Sequence, residues 1–254
     1  MGLRRAATSD AAGAPFATEF VGPRHRLREG LLLRMFLDAA PGRRVLNAGA
    51  GQGSFSAELE QRNFTVTSLD SNADAIDLLR RRVHGEVVRA DIRSLPFDDC
   101  GFDAAVLGEV LEHVAEDGEA LREVVRVVRP GSVVAISVPA NPAYFGSSDE
   151  WAGHVRRYTR LGLVGVVESA QLRVERCVPW GFPLSTLYHR HLYEPRLKRV
   201  GPRQLGNAQR LALALLGLAL NIDRLFLGVE RGALGYLLIA RSASPAARDG
   251  VQGT

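Results

Sequence analysis

Residues 45–55 read VLNAGAGQGSF, and this stretch decides the fold of the 254-residue chain. Its three glycines, Gly49, Gly51 and Gly53, lie between a predicted strand over residues 43–48 and a predicted helix over residues 54–61. Glycine permits positive φ and lets a ligand come close to the backbone. The spacing is Gly-x-Gly-x-Gly, whereas a dinucleotide fingerprint needs Gly-x-Gly-x-x-Gly. A tight turn without a ligand would use the same residues, so other motifs must decide between the two interpretations.

Strands and helices alternate on either side of the glycine loop. Because of this alternation we predict an α/β fold, with a seven-stranded, mostly parallel sheet and helices on both faces. Ligands of such sheets bind beyond the carboxyl ends of the strands. The other six strands are predicted over residues 64–69, 86–90, 102–107, 132–138, 172–179 and 233–240, and further helices over residues 24–39, 71–83, 116–128 and 159–170.

The predicted domain spans residues 24–241, with a helical insert and lid over residues 183–231, before the last strand. Residues 1–23 and 242–254 are small and polar, and we predict that they are flexible. Aromatic residues near the insert are interpreted as core rather than pocket; they are Trp180, Phe182, Tyr188 and Tyr193. A leucine-rich face follows helical spacing, and we expect it to pack on the domain, with a dimer partner or a lipid as alternatives; it comprises Leu211, Leu215, Leu218, Ile222 and Leu225.

Acidic residues follow three of the predicted strands. Asp70 ends the second strand, where a carboxylate can accept hydrogen bonds from both hydroxyls of an adenosine ribose. Ser71, next to it, is predicted to cap the following helix. In ADIRSLPF, residues 90–97, Asp91 can accept a bond from an adenine amino group while Ile92 lies against the ring.

The next motif is LGEVLEHV, residues 107–114, which follows the fourth strand. We expect Glu109 and His113 to face the cleft there, since ligands bind at the carboxyl ends of the strands.

Taken together, residues 45–139 resemble the class I S-adenosylmethionine-dependent methyltransferases of the broad small-molecule type, similar to methyltransferase type 11. The motifs occur in the family's order: glycine loop, acidic ribose contact, ADIRSLPF, FDAAVLGEVLEHV and VVRPGSVVAISVP. GHVRRYT, residues 153–159, also resembles a segment of that family. The resemblance implies a Rossmann-like fold and S-adenosyl-L-methionine as the cofactor.

The resemblance also implies which residues bind the cofactor. Asn47 departs from the family, which usually has Asp or Glu before the glycines. Asparagine keeps an acceptor oxygen but loses the charge, so we expect the methionine amine of the cofactor to be held more weakly or differently. The expected cofactor-binding residues are Asn47, Gly49, Gly51, Gly53, Asp70, Ser71, Asp91, Ile92 and Glu109.

Methyl transfer from a sulfonium needs mainly orientation, and proton removal when the acceptor is a hydroxyl. His154 and His113 are the candidate bases, since the histidine pKa suits this role. His113 can equally serve packing or capping at a helix start. Trp151, Arg157 and Tyr158 surround His154 in sequence and are the candidate substrate contacts.

The predicted acceptor is a small or amphipathic molecule methylated on oxygen or carbon, such as a natural product, lipid, quinone or glycoside. Nucleic-acid and amine N-methyltransferases place Asn/Asp-Pro-Pro-aromatic after strand four, where this chain has LGEV, so we do not expect a nucleic acid. A short-chain dehydrogenase needs Tyr-x-x-x-Lys, but Glu194 stands four residues before Lys198, the sole lysine. A non-catalytic cofactor-binding protein and an RNA or protein methyltransferase remain as alternatives.

We predict no metal, because no His, Cys or Asp cluster has ligand spacing in the sequence. Cys100 and Cys177 are far apart and are interpreted as reduced thiols of a cytoplasmic protein. No secretory signal or transmembrane segment is predicted. Peripheral membrane contact stays open, and so does the choice between monomer and homodimer. The basic cluster of Arg190, Arg196, Lys198, Arg199 and Arg203 is interpreted as a consequence of composition more readily than as an anion site.

Overall fold

The computed structural model describes residues 22–39, 42–195 and 207–243. Seven strands form one sheet in the order β3-β2-β1-β4-β5-β7-β6. The strands are β1 (Arg44–Ala48), β2 (Thr65–Asp70), β3 (Glu86–Arg89), β4 (Phe102–Gly108), β5 (Val128–Pro139), β6 (Leu172–Trp180) and β7 (Gly235–Ser242). All neighbours from β3 to β5 pair in parallel, whereas β7 pairs antiparallel with both β5 and β6. The predicted α/β fold with a mostly parallel sheet is therefore confirmed.

Helices cover both faces of this sheet. The first face carries a cluster of buried side chains that includes Leu32 and Phe36 of the first helix and Phe55 of the second. Leu121 and Leu163 belong to the cluster on the other face. The helices are α1 (Pro23–Ala39), α2 (Ser54–Glu60), α3 (Ala73–Arg82), α4 (Asp117–Val127), α5 (Ser147–Ala152), α6 (Arg160–Ser169), α7 (Leu184–Tyr188) and α8 (Asn207–Leu220).

Two local predictions were wrong. Asn72, rather than Ser71, caps α3, because its side chain accepts hydrogen bonds from the backbone of Asp74 and Ala75. The fifth strand was predicted to begin at residue 132, after the Pro130-Gly131 pair, but the helix α4 already ends at Val127. Strand β5 already begins at Val128 and runs through that pair, which is accommodated by an irregular register against β4 and a φ of 81° at Gly131.

The predicted insert is helical in both of its described parts. Helix α7 continues into a π-helical turn, His189–Tyr193, whereas α8 continues into a 3₁₀ turn, Asn221–Phe226. Residues 196–206, with most of the basic cluster, lie outside the described residues, as do residues 1–21 and 244–254 of the segments predicted to be flexible.

The leucine-rich face of α8 is exposed, so the expectation that it packs on the domain was wrong. The exposed fraction is 70% for Leu218 and 82% for Leu225, and Leu215 and Ile222 are exposed as well. The side chain of Leu211 lies outside the described residues. Leu216 and Leu220, on another stripe of this apolar helix, face the core beside α1 instead. Within the described ranges, every helix is too short or too polar to cross a membrane.

Candidate active site

The glycine loop between β1 and α2 has a backbone that only glycine adopts readily. Gly49, Gly51 and Gly53 have φ values of 74°, 53° and 77°. The backbone N–H groups of Gly49 and Ala50 both donate to the Leu69 carbonyl, at 2.7 and 2.8 Å, which fixes the loop to the end of β2. A Cβ on Gly49 would lie 2.4 Å from Cγ2 of Val110. Close packing against the motif after β4 therefore requires the first glycine.

The middle glycine differs from the first, because a Cβ on Gly51 would meet nothing within 4 Å. Its backbone N–H donates to Oδ2 of Asp70 at 2.9 Å, and Asn72 donates to Oδ1 at 2.9 Å. Asp70 is only 9% exposed and lies at the carboxyl end of β2. The loop thus combines an open space, which a ligand can fill, with a buried carboxylate beside it. These features fit an adenosine ribose.

The residues after β3 lie at the same edge of the sheet. Asp91 is exposed and accepts hydrogen bonds from the Arg93 guanidinium, the shortest being 2.7 Å. These bonds hold the pKa of Asp91 below its usual range. Ile92 is buried, as expected of a residue that packs behind a ring, and Ser71 is exposed next to Asp70.

Asn47 is buried at the end of β1, and its amide nitrogen donates to Oγ of Ser56 at 2.8 Å. Ser68 donates to the same Ser56 oxygen, also at 2.8 Å. An aspartate has no N–H to donate to Ser56. It would instead have to accept from the Ser56 hydroxyl, so asparagine changes the direction of the bond that fixes α2 to the ends of β1 and β2.

A cavity of about 170 Å³ opens beside this loop. It lies between the start of α1, the ends of β4, β5 and β6, the segment after β5 and the π-helical turn. Its charged and polar lining includes Arg24, Arg28, Glu109, Asp149, His154 and Arg157. Its aromatic lining comprises Trp151, Trp180, Tyr188, His189 and Tyr193. Trp180 and Tyr193 are buried, as expected of core residues, and they also line this cavity together with Tyr188.

Glu109 joins the cavity to the glycine loop, because it precedes Val110, the residue that contacts Gly49. Its Oε1 accepts a hydrogen bond from the Ser137 hydroxyl at 3.0 Å, and Oε2 pairs with Arg28 at 3.2 Å. Burial acts to raise the pKa of Glu109, but the charges of Arg28 and His154 outweigh it and lower the pKa below its usual range. A carboxylate is therefore maintained at the boundary between loop and cavity.

His189 stands between two arginines in the cavity wall. Arg24 lies 2.9 Å from its Nδ1, and Arg157 lies 3.4 Å from its Nε2. Burial and then the charges of Arg24 and Arg157 lower the pKa of His189 to about 3. A neutral imidazole has one acceptor nitrogen, so it can accept a hydrogen bond from only one of the two arginines.

Arg24 forms no ion pair with a carboxylate among the described residues; its guanidinium lies over the Tyr193 ring, 4.8 Å from the centroid. Arg157, in contrast, donates to both oxygens of the buried Asp149, at 2.8 and 2.9 Å. The cavity therefore contains one cation, Arg24, that the described part of the chain does not neutralise.

In the GHVRRYT segment, some side chains line the cavity and others lie in the core. His154 and Arg157 line the cavity, and both bind Asp149. Tyr158 does not line it, which speaks against the predicted substrate contact. Its hydroxyl donates to Oδ2 of Asp117 at 2.7 Å, and Arg156 donates to the same oxygen at 2.8 Å. Tyr158 thus holds the segment against α4.

The two candidate bases lie together. The rings of His113 and His154 meet edge to face, with centroids 4.7 Å apart. Desolvation and the charge of His154 lower the pKa of His113 to about 4. Glu112 joins them: one ligand atom from each of the three residues lies within 4.8 Å of the others. No such cluster has ligand spacing in the sequence; it forms because the fold brings residue 154 beside residues 112 and 113.

Sequence reasoning did not assign a site role to α1 or to His189. Arg24, His25 and Arg28 recur at the spacing of one helix face, which was a signal available in the sequence. Nothing in the sequence, however, indicates that this face meets the segment after β5.

Comparison with known proteins agrees with this geometry, since residues 46–136 match the family described as "Methyltransferase domain". Residues 46–136 therefore form a methyltransferase domain. The chain is 36% identical over 105 residues to a demethylmenaquinone methyltransferase of Clavibacter sepedonicus, which covers 40% of this chain and 43% of that protein. It is 39% identical over 108 residues to a fatty-acid O-methyltransferase of Mycolicibacterium smegmatis, covering 41% of this chain and 39% of that protein.

The solved structures extend the similarity beyond the matched segment. The 4+2 cyclase SpnF superposes with a TM-score of 0.57 over 86% of this chain and 81% of that one, at 20% identity. At this identity the likeness shows the fold alone. The chain spans about two fifths of the length of the curated relatives described above. The methyltransferase domain is therefore shared, whereas the cavity walls from α1 and the π-helical turn lie outside the matched residues.

Proposed function

We propose that the chain transfers the methyl group of S-adenosyl-L-methionine to a small or amphipathic acceptor held in the cavity. The observation that carries this proposal is the open space at Gly51 beside Asp70, which adjoins the cavity through Glu109. Open space alone also occurs at Gly153, but the N–H of Gly51 binds a buried carboxylate at the carboxyl end of β2, where ligands of such sheets bind.

The cofactor contacts follow from the residues at the strand ends. Each oxygen of Asp70 accepts one backbone hydrogen bond and keeps a lone pair for a ribose hydroxyl. We assign Asp91 and Ile92 to the adenine, and Glu109 to the methionine part beside the cavity. When bound, S-adenosylmethionine supplies an electrophilic methyl group. The chain itself has to align the acceptor with that group and exclude competing orientations.

The acceptor chemistry is inferred from the cavity wall. Trp151, Trp180 and Tyr188 offer apolar surface, whereas Arg24 offers a cation without a carboxylate partner among the described residues. Arg157 lies at the same end of the cavity. An amphipathic acceptor with an acidic or strongly polar group fits both parts. Such pockets combine an apolar lining with few polar groups that orient the ligand.

We assign His154 as the histidine that contacts the acceptor. It lines the cavity, and Asp149 fixes its ring through Nδ1 at 2.8 Å. His113 is a poor general base near neutral pH, because its pKa of about 4 lies far below the operating range. The atom to be methylated is then an oxygen, or a carbon next to one.

The names of the relatives are consistent with this class of acceptor. The demethylmenaquinone methyltransferase and the fatty-acid O-methyltransferase are named for a quinone and a fatty acid, which are both amphipathic. We therefore propose lipids, quinones, glycosides and natural products as the first acceptors to test. Fold alone does not assign a reaction, so a cofactor-binding protein without this activity, or an RNA or protein methyltransferase, is the alternative outcome.

The experiment is calorimetric binding of S-adenosylhomocysteine to the wild type and to Asp70→Ala. We expect Asp70→Ala to weaken binding at least tenfold, corresponding to about 1.4 kcal/mol. Asp74→Ala is the matched control, because Asp74 is exposed in the first turn of α3. Thermal unfolding verifies that both variants fold. Equal affinity in Asp70→Ala and the wild type would remove the cofactor site from this loop.

Turnover is tested separately, by release of S-adenosylhomocysteine with a panel of acceptors. His154→Ala should lose turnover and keep cofactor affinity. If RNA or a protein is the best acceptor, the proposed acceptor class is wrong; if no acceptor is methylated although the cofactor binds, the non-catalytic alternative holds.

A further inference from the structure

Glu112 is a buried carboxylate for which the described residues supply no hydrogen bond. Its side chain is 0% exposed, and neither Oε1 nor Oε2 has a hydrogen-bond partner. Buried polar groups are nearly always paired with a hydrogen bond, an opposite charge or a metal. The orphaned carboxylate therefore indicates a missing partner.

His154 is held facing that carboxylate. Its Nδ1 binds Oδ1 of Asp149 at 2.8 Å, which leaves Nε2 3.9 Å from Oε1 of Glu112. This distance is too long for a hydrogen bond. A carboxylate that fixes one ring nitrogen so that the other faces a metal is the usual outer-shell arrangement of metal-binding histidines.

His113 completes the set from the residue next to Glu112. The 3₁₀ turn Leu111–His113 places both side chains after β4, and the backbone of Val155 donates to the Glu112 carbonyl at 2.8 Å. That bond fixes the segment with His154 against the turn. Three potential ligand atoms, one from each residue, thereby lie within 4.8 Å of one another.

We propose that Glu112, His113 and His154 bind one divalent cation, and that Zn²⁺ fits this set of donors best. Two imidazoles and one carboxylate are a donor set of catalytic zinc sites, which keep a further position open. Because His154 lines the cavity, an acceptor held there could reach a cation bound by His154. An acceptor oxygen bound there would be oriented and made more acidic. That role rests on the proposed function, whereas binding of the cation does not.

The assignment also changes how His154 acts. The Nε2 lone pair cannot bind a cation and accept a proton at once, so His154 is a ligand rather than a general base. Asp149 then acts as a positioning residue that orients the ligand through Nδ1.

The test measures metal binding directly. The protein is treated with a chelator, dialysed against Zn²⁺, passed through gel filtration and assayed for metal content; Co²⁺ is added to a second sample to record its visible absorption. We expect about one Zn²⁺ per chain and a Co²⁺ spectrum of low coordination number. Glu112→Gln, His113→Ala and His154→Ala should each lower Zn²⁺ affinity at least tenfold. His84→Ala is the matched control, an exposed histidine outside the cavity.

Folding and cofactor binding are followed in the same variants by thermal unfolding and by titration with S-adenosylhomocysteine. Zn²⁺ should raise the thermal midpoint of the wild type, because a ligand of the folded state stabilises it. The proposal is overturned if the wild type binds neither Zn²⁺ nor Co²⁺ more tightly than about 0.1 mM, or if all three variants bind like the wild type. If the wild type does not bind S-adenosylhomocysteine, the proposed function is overturned instead.

Discussion

The backbone N–H of Gly51 donates to Oδ2 of Asp70 at 2.9 Å, and the side of Gly51 where a Cβ would stand is open. We predict that Gly51→Ala blocks the cofactor while the chain still folds, with strain of about 1 kcal/mol from the positive φ. Gly49→Ala should instead lower the free energy of unfolding by about 3 kcal/mol, since its Cβ would collide with Val110. Chemical denaturation and S-adenosylhomocysteine binding measure the two effects. Undiminished affinity in Gly51→Ala would contradict the placement of the cofactor.

Tyr158 was expected to contact the substrate, but its hydroxyl donates a hydrogen bond to Asp117. We predict that Tyr158→Phe lowers the free energy of unfolding by about 2 kcal/mol, because it removes a buried hydrogen bond to a charged group. The cofactor affinity and the KM for the acceptor should not change. Tyr144→Phe is the control, since the described residues offer its hydroxyl no hydrogen bond. A raised KM in Tyr158→Phe alone would restore the substrate contact.

His189 should make stability depend on pH. Its folded-state pKa is about 3, below the ordinary value near 6.5. Between these values the unfolded chain binds the extra proton, so the free energy of unfolding decreases as pH falls below 6.5, by up to about 1.4 kcal/mol per pH unit. His113 has the same sign, with a folded pKa of about 4. The contribution of His189 is therefore measured as the difference in pH dependence of the free energy of unfolding between the wild type and His189→Asn.

Asparagine does not titrate, and its oxygen can replace Nδ1 as the acceptor for Arg24. Denaturation between pH 4 and 7, as an order-of-magnitude window around these pKa values, should show a shallower slope in His189→Asn. His191→Asn, which changes an exposed histidine two residues on, should keep the wild-type slope. Equal slopes in all three proteins would mean that folding does not lower the pKa of His189.

Arg24 should determine how tightly a polar acceptor binds. We predict that Arg24→Gln raises the KM for an acidic acceptor about tenfold or more, since loss of a hydrogen bond between charged groups costs about 1.5–3 kcal/mol. The affinity for S-adenosylhomocysteine should not change. Arg26→Gln, on the exposed side of the same helix, is the control. If the two variants show the same KM, Arg24 does not contact the acceptor.

The loop and the sheet could be predicted from the sequence because their signals are local. The three glycines, the acidic residue at the end of β2 and the alternation of strands and helices each occupy a short window. The fold confirmed these expectations. The bond from Asn47 to Ser56 also connects nearby residues, but it depends on side-chain direction, and the sequence indicated only that Asn47 departs from the family.

The cavity could not be predicted, because its walls come from distant segments. Arg28 meets Glu109, and His113 meets His154, only after the sheet has formed. The helix α8 illustrates a different limit: leucine and alanine occur all round it, so helical spacing cannot select which stripe packs against α1. The stripe with Leu216 and Leu220 is the one that faces the core.

The position of β7 has a consequence for how the protein is made. This strand lies between β5 and β6, and it is the last of the seven to leave the ribosome. Until residues 235–242 emerge, β6 has no neighbour in the sheet and the edge of β5 is unpaired. Exposed strand edges are sites of association between chains. A translating ribosome therefore carries a chain whose glycine loop can already be ordered but whose sheet is still open, and pausing before residues 235–242 emerge would prolong that state.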